Sequence, residues 1–227
     1  MIVLYCDNKY LKWLTPLAKS IKKWEPNERI LLFAINYDPD GLIKDNKTIV
    51  LFDNNSIRYV SIIADRKELP FHIIEGKAGY LLQAFDEFPK EDLYIMMDID
   101  MLLLKSLKEV KRAVMKYKFD MAAVLANPDK ICGGFYIFRR TKLNYKMLTV
   151  WNNYLMDGNF FFDKDQGSLA QLVRTYMFEK GLKFLPLPRM YLDHFSKKDS
   201  IIWSAHKSEF GNKDQRYKLY MKEVKKW

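Results

Sequence analysis

Asp98 and Asp100 stand two residues apart where an apolar run breaks, in Tyr94-Ile-Met-Met-Asp98-Ile-Asp100-Met-Leu-Leu-Leu104. A short apolar run ending at a polar break reads as a buried strand. Side chains at i and i+2 of an extended chain point the same way, so the two carboxylates can converge where the strand ends. Burying both without a partner is costly. A divalent cation that prefers oxygen ligands, Mg²⁺ or Mn²⁺, removes that cost. The plainer alternative makes one aspartate the cap of the next helix. Ser106-Leu-Lys-Glu109 already has the form of a capping box for a helix reaching about Tyr117, which leaves the pair for metal.

Two carboxylates fill only part of a cation's shell, and Mn²⁺ also accepts imidazole. His206, one of three histidines, is therefore a third candidate ligand, with a flexible joint at Gly211 and a cation at Lys213 close behind it. His72 and His194 lack such company, though His194, beside Asp193, is a reserve candidate. Gly133-Gly134, ahead of an apolar run Phe135-Tyr-Ile-Phe138, permits either positive φ or a close backbone approach. From the pair alone, an ordinary turn or bulge is the favoured reading. Asp165-Gln166 stands where a helix begins, so Asp165 serves at least as a cap.

The elements that position these residues follow from the patterning. Ile2–Cys6 reads as a first strand followed by a polar turn at Asp7–Tyr10. Thr15-Pro16 reads as an N-cap with proline in the first helical position, and Pro26 ends that helix. Ile30–Ile35 is a second strand, followed by a turn at Asp38–Gly41. Weaker strand signals lie at Ile49–Phe52 and Ile57–Ile63, and a helix runs from near Gly76 to Phe85. Strand and helix alternating in this way predict an α/β fold with a central, mostly parallel mixed sheet flanked by helices. In such sheets ligands bind beyond the carboxyl ends of the strands, which places the turn after Cys6 and the Asp98/Asp100 pair on one edge. Further on, Met121–Leu125 and Phe135–Phe138 read as strands and Asn144–Leu155 and Gly167–Lys180 as helices. A loop-rich stretch from Leu185-Pro-Leu-Pro188 then leads to Ile201-Ile-Trp203 and a basic tail. Without a repeat or linker, residues 1–227 read as one domain, with a nucleotide- and metal-binding half at 1–104 and an acceptor-side half at 105–227.

The 227 residues carry a formal net charge of +10, with 49% hydrophobic and 29% charged residues. That balance is a folded globular protein's, and the charge favours an anionic partner: a nucleotide, a nucleic acid or a membrane surface. No apolar run approaches the roughly 18 residues of a membrane span, and the first residues lack the features of a signal peptide. Two cysteines, Cys6 and Cys132, make neither a disulfide framework nor a zinc site, so a cytoplasmic setting is expected. The tail interleaves lysines with Tyr217, Leu219, Tyr220 and Val224, the pattern of a basic amphipathic helix able to meet an anionic membrane surface. More often such a run is a docked C-terminal helix.

In this order, the segments resemble the GT-A nucleotide-diphospho-sugar glycosyltransferases, nearest to the clan of glycogenin and the lipopolysaccharide glucosyl- and galactosyltransferases. Tyr5-Cys-Asp7 with Tyr10 is similar to the segment that holds the nucleotide base, and Lys77 to the basic residue facing the donor phosphates. Asp98-Ile-Asp100 resembles the Asp-x-Asp motif. Cys132-Gly133-Gly134 resembles the Asn-x-Gly segment with its Asn replaced. Asp165-Gln166 resembles the pair near the donor sugar and acceptor. His206, Gly211 and Lys213 resemble the final His…Gly…Lys element, here with four residues between His and Gly in place of two. The resemblance implies a UDP-sugar donor, a carbohydrate, glycolipid or protein hydroxyl acceptor, Mn²⁺ or Mg²⁺ as cofactor, and retention of configuration.

Two other functions account for part of the pattern. A metal-dependent nucleotidyltransferase shares the nucleotide, metal and carboxylates. A basic nucleic-acid-binding protein explains the charge but leaves Asp98 and Asp100 without a role and has no matching motif. A haloacid-dehalogenase-type phosphatase also uses Asp-x-Asp, but on its first strand.

Overall fold

Alternation along the strands decides the layers. In β1 (Ile2–Asp7), Ile2, Leu4 and Cys6 face one hydrophobic cluster and Val3 and Tyr5 the other. The same split runs through β2 (Ile30–Ile35), β4 (Leu93–Met97), β6 (Met121–Asn127) and β7 (Lys130–Arg139). Strands buried on both faces need a cover on each. The computed structural model, which describes residues 1–35, 57–62, 76–157, 164–194, 198–205 and 213–225, supplies it. With β3 (Ile57–Ile62) and β8 (Phe184–Leu187), seven strands lie in the order β3-β2-β1-β4-β7-β6-β8. Among the described strands of this sheet only β7 runs against the rest, so the sheet is mostly parallel and mixed.

Helices α2 (Lys77–Glu87), α4 (Lys142–Asp157) and α5 (Lys164–Lys180) cover one face. The other carries α1 (Leu11–Trp24), α3 (Lys108–Lys116) and α6 (Lys213–Val224). A two-stranded ribbon of β5 (Met101–Leu103) and β9 (Ile202–Ser204) lies on that side too. The ribbon is fastened to α1 by the Leu103 N–H donating to Ser20 Oγ at 3.0 Å. The expected turn at Asp38–Gly41, the strand signal at Ile49–Phe52, His72, His206 and Gly211 lie outside the described residues.

Three local expectations are corrected. Helix α1 begins at Leu11, so Pro16 lies inside it rather than in its first position. Proline has no N–H to give the carbonyl four residues back, and that carbonyl, Lys12 O, lies 3.4 Å from the Tyr217 hydroxyl of α6. A side chain more than 200 positions away in sequence thus stands at the acceptor that Pro16 leaves. Ser106 does not form a capping box. Its hydroxyl accepts from the Lys108 N–H, but Glu109 pairs with Arg112. The Leu107 N–H, at the cap position, donates instead to Glu25 Oε1, 2.5 Å away. Gly133 and Gly134 lie within β7 rather than before it and neither has positive φ, but they fall in the stretch where the pairing with β6 is irregular, as the bulge reading expects.

Candidate active site

Chain order fixes the site's address. β1 is followed by β2 and β3 on one side, while β4 returns to pair with β1 on the other. A parallel sheet opens a crevice at the carboxyl ends of two such neighbours. Asp7 is the last residue of β1, and Asp98 follows the last residue of β4. The chain turns through Asp98-Ile99-Asp100 and re-enters as β5, so the carboxylates occupy a turn between two strands.

Asp98 is held from three sides. Its Oδ1 accepts from the Tyr5 hydroxyl at 2.6 Å and lies 3.2 Å from Lys77 Nζ, and its backbone N–H donates to Gly134 O at 2.9 Å. Lys77 is 4% exposed although it opens helix α2, where a cation is disfavoured by the helix dipole. Its partners offset that cost: Asp98, and the Gly133 carbonyl, which accepts at 2.6 Å. The rings of Tyr5 and Tyr136 stand 5.7 and 5.9 Å from its nitrogen, within cation–π range. Tyr136 was not among the expected site residues. Its alternation with Phe135 on β7 only marks it as core.

The glycines are required by close approach. A Cβ on Gly134 would lie 1.9 Å from Met101 Cε and 3.2 Å from Asp98 Oδ2, and one on Gly133 would lie 2.8 Å from Gln166 Nε2. Met101 follows Asp100 directly, so Gly134 leaves room for the whole Asp98–Met101 turn. Gln166, in the first turn of α5, is brought against Gly133. Asp165 precedes it as the second residue of that helix, past the cap position.

Asp7 is 2% exposed; its Oδ1 accepts from the Lys9 N–H, while its Oδ2 has no hydrogen-bond partner among the described residues. Asp100 is also buried, and its carbonyl accepts from the Ala205 N–H just past β9. That contact brings the strand preceding His206 onto the aspartate turn. Lys213 is the first residue of α6. Burial holds the Tyr10 hydroxyl proton more tightly than usual, and the negative charges of Asp100, Asp7 and Asp98 add to the effect. The charge of Arg216 opposes it. Tyr5, Asp7, Tyr10, Lys77, Asp98, Asp100, Gly133, Gly134 and Gln166 are thus gathered at one corner of the sheet.

Among the described residues no three histidine, cysteine or acidic side chains converge as a ready-made metal cage. Asp98 and Asp100 offer oxygen ligands of the type hard divalent cations take with phosphate oxygens and water completing the shell.

Over 99% of its length the chain superposes on 95% of the galactosyltransferase LgtC, solved with donor and acceptor sugar analogs, at a TM-score of 0.60 and 12% identity. The fold is that of a GT-A glycosyltransferase. An active-site Gln-to-Glu variant of LgtC matches at a TM-score of 0.58 and 12% identity, over 98% of this chain and 95% of that one. The apo glycosyltransferase GlyE of Streptococcus pneumoniae TIGR4 matches at 0.59 and 12% identity, over all of this chain and 62% of that one. No protein-family model matches the sequence, and neither does any curated protein.

Proposed function

We propose that the protein is a metal-dependent glycosyltransferase that moves a sugar from a nucleotide diphosphate, with UDP as the carrier, to a hydroxyl acceptor with retention. The observation that carries this reading is the cluster of Asp7, Lys77, Asp98 and Asp100 at the switch point between β1 and β4, in a fold shared with glycosyltransferases.

Asp98 and Asp100, joined by His206, would hold Mn²⁺ or Mg²⁺, which when bound supplies Lewis-acid stabilisation of the leaving diphosphate. The residues of the chain do the rest. Lys77, fixed by Asp98 and the Gly133 carbonyl, presents its charge without reorganising, which is the condition under which electrostatic stabilisation is largest. By the family resemblance, Lys213 and Gly211 would serve the same phosphates. Asp7, Tyr5 and Tyr10 hold the nucleoside end. Gln166, packed on Gly133, and Asp165 beside it stand at the donor sugar and acceptor. The active-site glutamine of LgtC supports giving Gln166 that place. Residues 105–227 then supply the acceptor side. No helix among the described residues is long and apolar enough to cross a membrane, and we place the protein in the cytoplasm, where nucleotide sugars are available.

The test is a panel of UDP- and GDP-sugars with and without Mn²⁺, followed by release of the nucleoside diphosphate. Release that needs both a sugar nucleotide and the metal, and that falls at least a hundredfold in Asp100→Asn, is the expected result. Pyrophosphate release from nucleoside triphosphates would instead favour nucleotidyl transfer. Tight, salt-dependent nucleic-acid binding with no nucleotide turnover would refute both.

A further inference from the structure

Helix α6 is docked at the site's edge by two tyrosines. The Tyr220 hydroxyl donates to either Trp13 O or Met101 O, 3.0 and 3.1 Å away, and the Tyr217 ring packs edge-on against Trp13 at 5.0 Å. Met101 is the residue after Asp100, so this face of α6 looks onto the aspartate turn. Residues four apart share a helix face, which puts Arg216 one turn before Tyr220 on that same side. Its charge acts on Tyr10, as do those of Asp7, Asp98 and Asp100.

Arg216 Nε is buried with no hydrogen-bond partner among the described residues, and Asp7 Oδ2 is in the same position. A guanidinium placed there for structure would fork onto one of the neighbouring carboxylates. It does not satisfy Asp7. The two orphans have opposite polarity: one is a charged donor, the other a charged acceptor. A ligand that satisfies both needs an anionic oxygen for the arginine and an O–H or N–H for the aspartate. A nucleotide carries phosphate oxygens at one end and ribose hydroxyls or base N–H groups at the other.

We propose that Arg216 is a binding residue for the diphosphate of the nucleotide whose nucleoside end the donor reading already gives to Asp7. The inference rests on the donor reading above and adds to it a cation from the C-terminal helix, outside the His206–Lys213 element.

Calorimetric titration in Mn²⁺ of UDP against uridine, and of GDP against guanosine, tests it. Arg216→Gln is expected to weaken the diphosphate by about tenfold or more, the size of a charge-assisted hydrogen bond, and the nucleoside by less than about twofold. Arg216→Lys keeps the charge but loses the fork, so an intermediate loss is expected. Asp7→Asn should weaken nucleoside and diphosphate alike. Because Arg216 Nε holds no partner among the described residues, the unliganded Arg216→Gln protein should melt within about 2 °C of wild type. Equal affinity of Arg216→Gln and wild type for the diphosphate overturns the inference. So does an equal loss on nucleoside and diphosphate, or a large fall in melting temperature with an unchanged affinity ratio. If wild type itself binds no diphosphate, the donor reading fails and the inference goes with it.

Discussion

Gly134→Ala separates what the glycine does for stability from what it does for the site. The new methyl would stand 1.9 Å from Met101 Cε, against an ordinary contact of at least 3.4 Å, so the thioether end must retreat by about 1.5 Å. Met101 is 1% exposed and has no solvent to retreat into. Overpacking of this kind costs about 1–3 kcal/mol, or a fall in melting temperature of roughly 2–12 °C at this chain length. Met101→Leu removes the offending carbon and by itself costs under about 1.5 kcal/mol. The double variant should therefore be more stable than additivity allows, by about 1 kcal/mol. Activity should not recover with it. The methyl also stands 3.2 Å from Asp98 Oδ2, and Met101→Leu leaves that crowding in place. The assay is a double-mutant cycle in urea for stability, with UDP-sugar turnover in Mn²⁺ on the same four proteins. Additivity within about 0.5 kcal/mol, or full turnover in Gly134→Ala, would refute the packing argument.

Further outcomes follow from single contacts. Lys77→Met removes the cation from Asp98 and the Gly133 carbonyl, and turnover should fall by about 10²–10³-fold, read as kcat in steady-state kinetics. Tyr5→Phe deletes the 2.6 Å hydrogen bond to Asp98 Oδ1. It should cost about 1 kcal/mol in denaturant unfolding and raise the Mn²⁺ concentration needed for half-maximal activity. Pro16→Ala restores a helical N–H opposite Lys12 O. It should stabilise the protein by about 1–3 kcal/mol, and Tyr217→Phe should cost less in that background than in wild type. Burial raises Tyr94 from about 10 to about 12 and raises Tyr10 and Tyr220 as well. A raised tyrosine stabilises the fold fully below its unfolded value near 10, and that stability is lost as pH climbs through the folded one. Alkaline unfolding between about pH 10 and 12, with a slope near 1.4 kcal/mol per pH unit for each titrating tyrosine, should be visible as tyrosinate absorbance appearing together with loss of structure.

The parts of the fold readable in the sequence are those fixed by short-range pattern. The β1 and β4 runs, the helix after Gly76 and the approach of the Cys6 turn to Asp98 all follow from apolar periodicity and the parallel-sheet rule. Pro16 was misplaced because local propensity favours proline in a first turn, whereas the acceptor opposite it is met by Tyr217 from the far end of the chain. Ser106 and Glu109 have the spacing of a cap, yet Glu25 reaches the helix end first, with Lys111 paired to both Glu25 and Glu28. Gly133 and Gly134 were identifiable as special, but the reason for them is not in their own segment: Met101 and Gln166 fill the space. Arg216 is recognisable only as one more tail cation until Tyr220, one turn on, shows which way its helix faces.

The Tyr220 hydroxyl has a consequence for how the molecule is made. Trp13, whose carbonyl it meets, is 207 residues earlier, and Met101 is 119 residues earlier. At ribosomal rates of 5–20 residues per second, Trp13 waits roughly 10–40 s for its partner. Through that interval the nascent chain presents an indole and the flank of the aspartate turn without the helix that covers them. A helix synthesised more than 200 residues after β1 is thus a wall of the site that β1 begins. A ribosome stalled before α6 would hold a chain with its sheet strands in hand, its nucleotide corner open, and an apolar face for a chaperone to occupy.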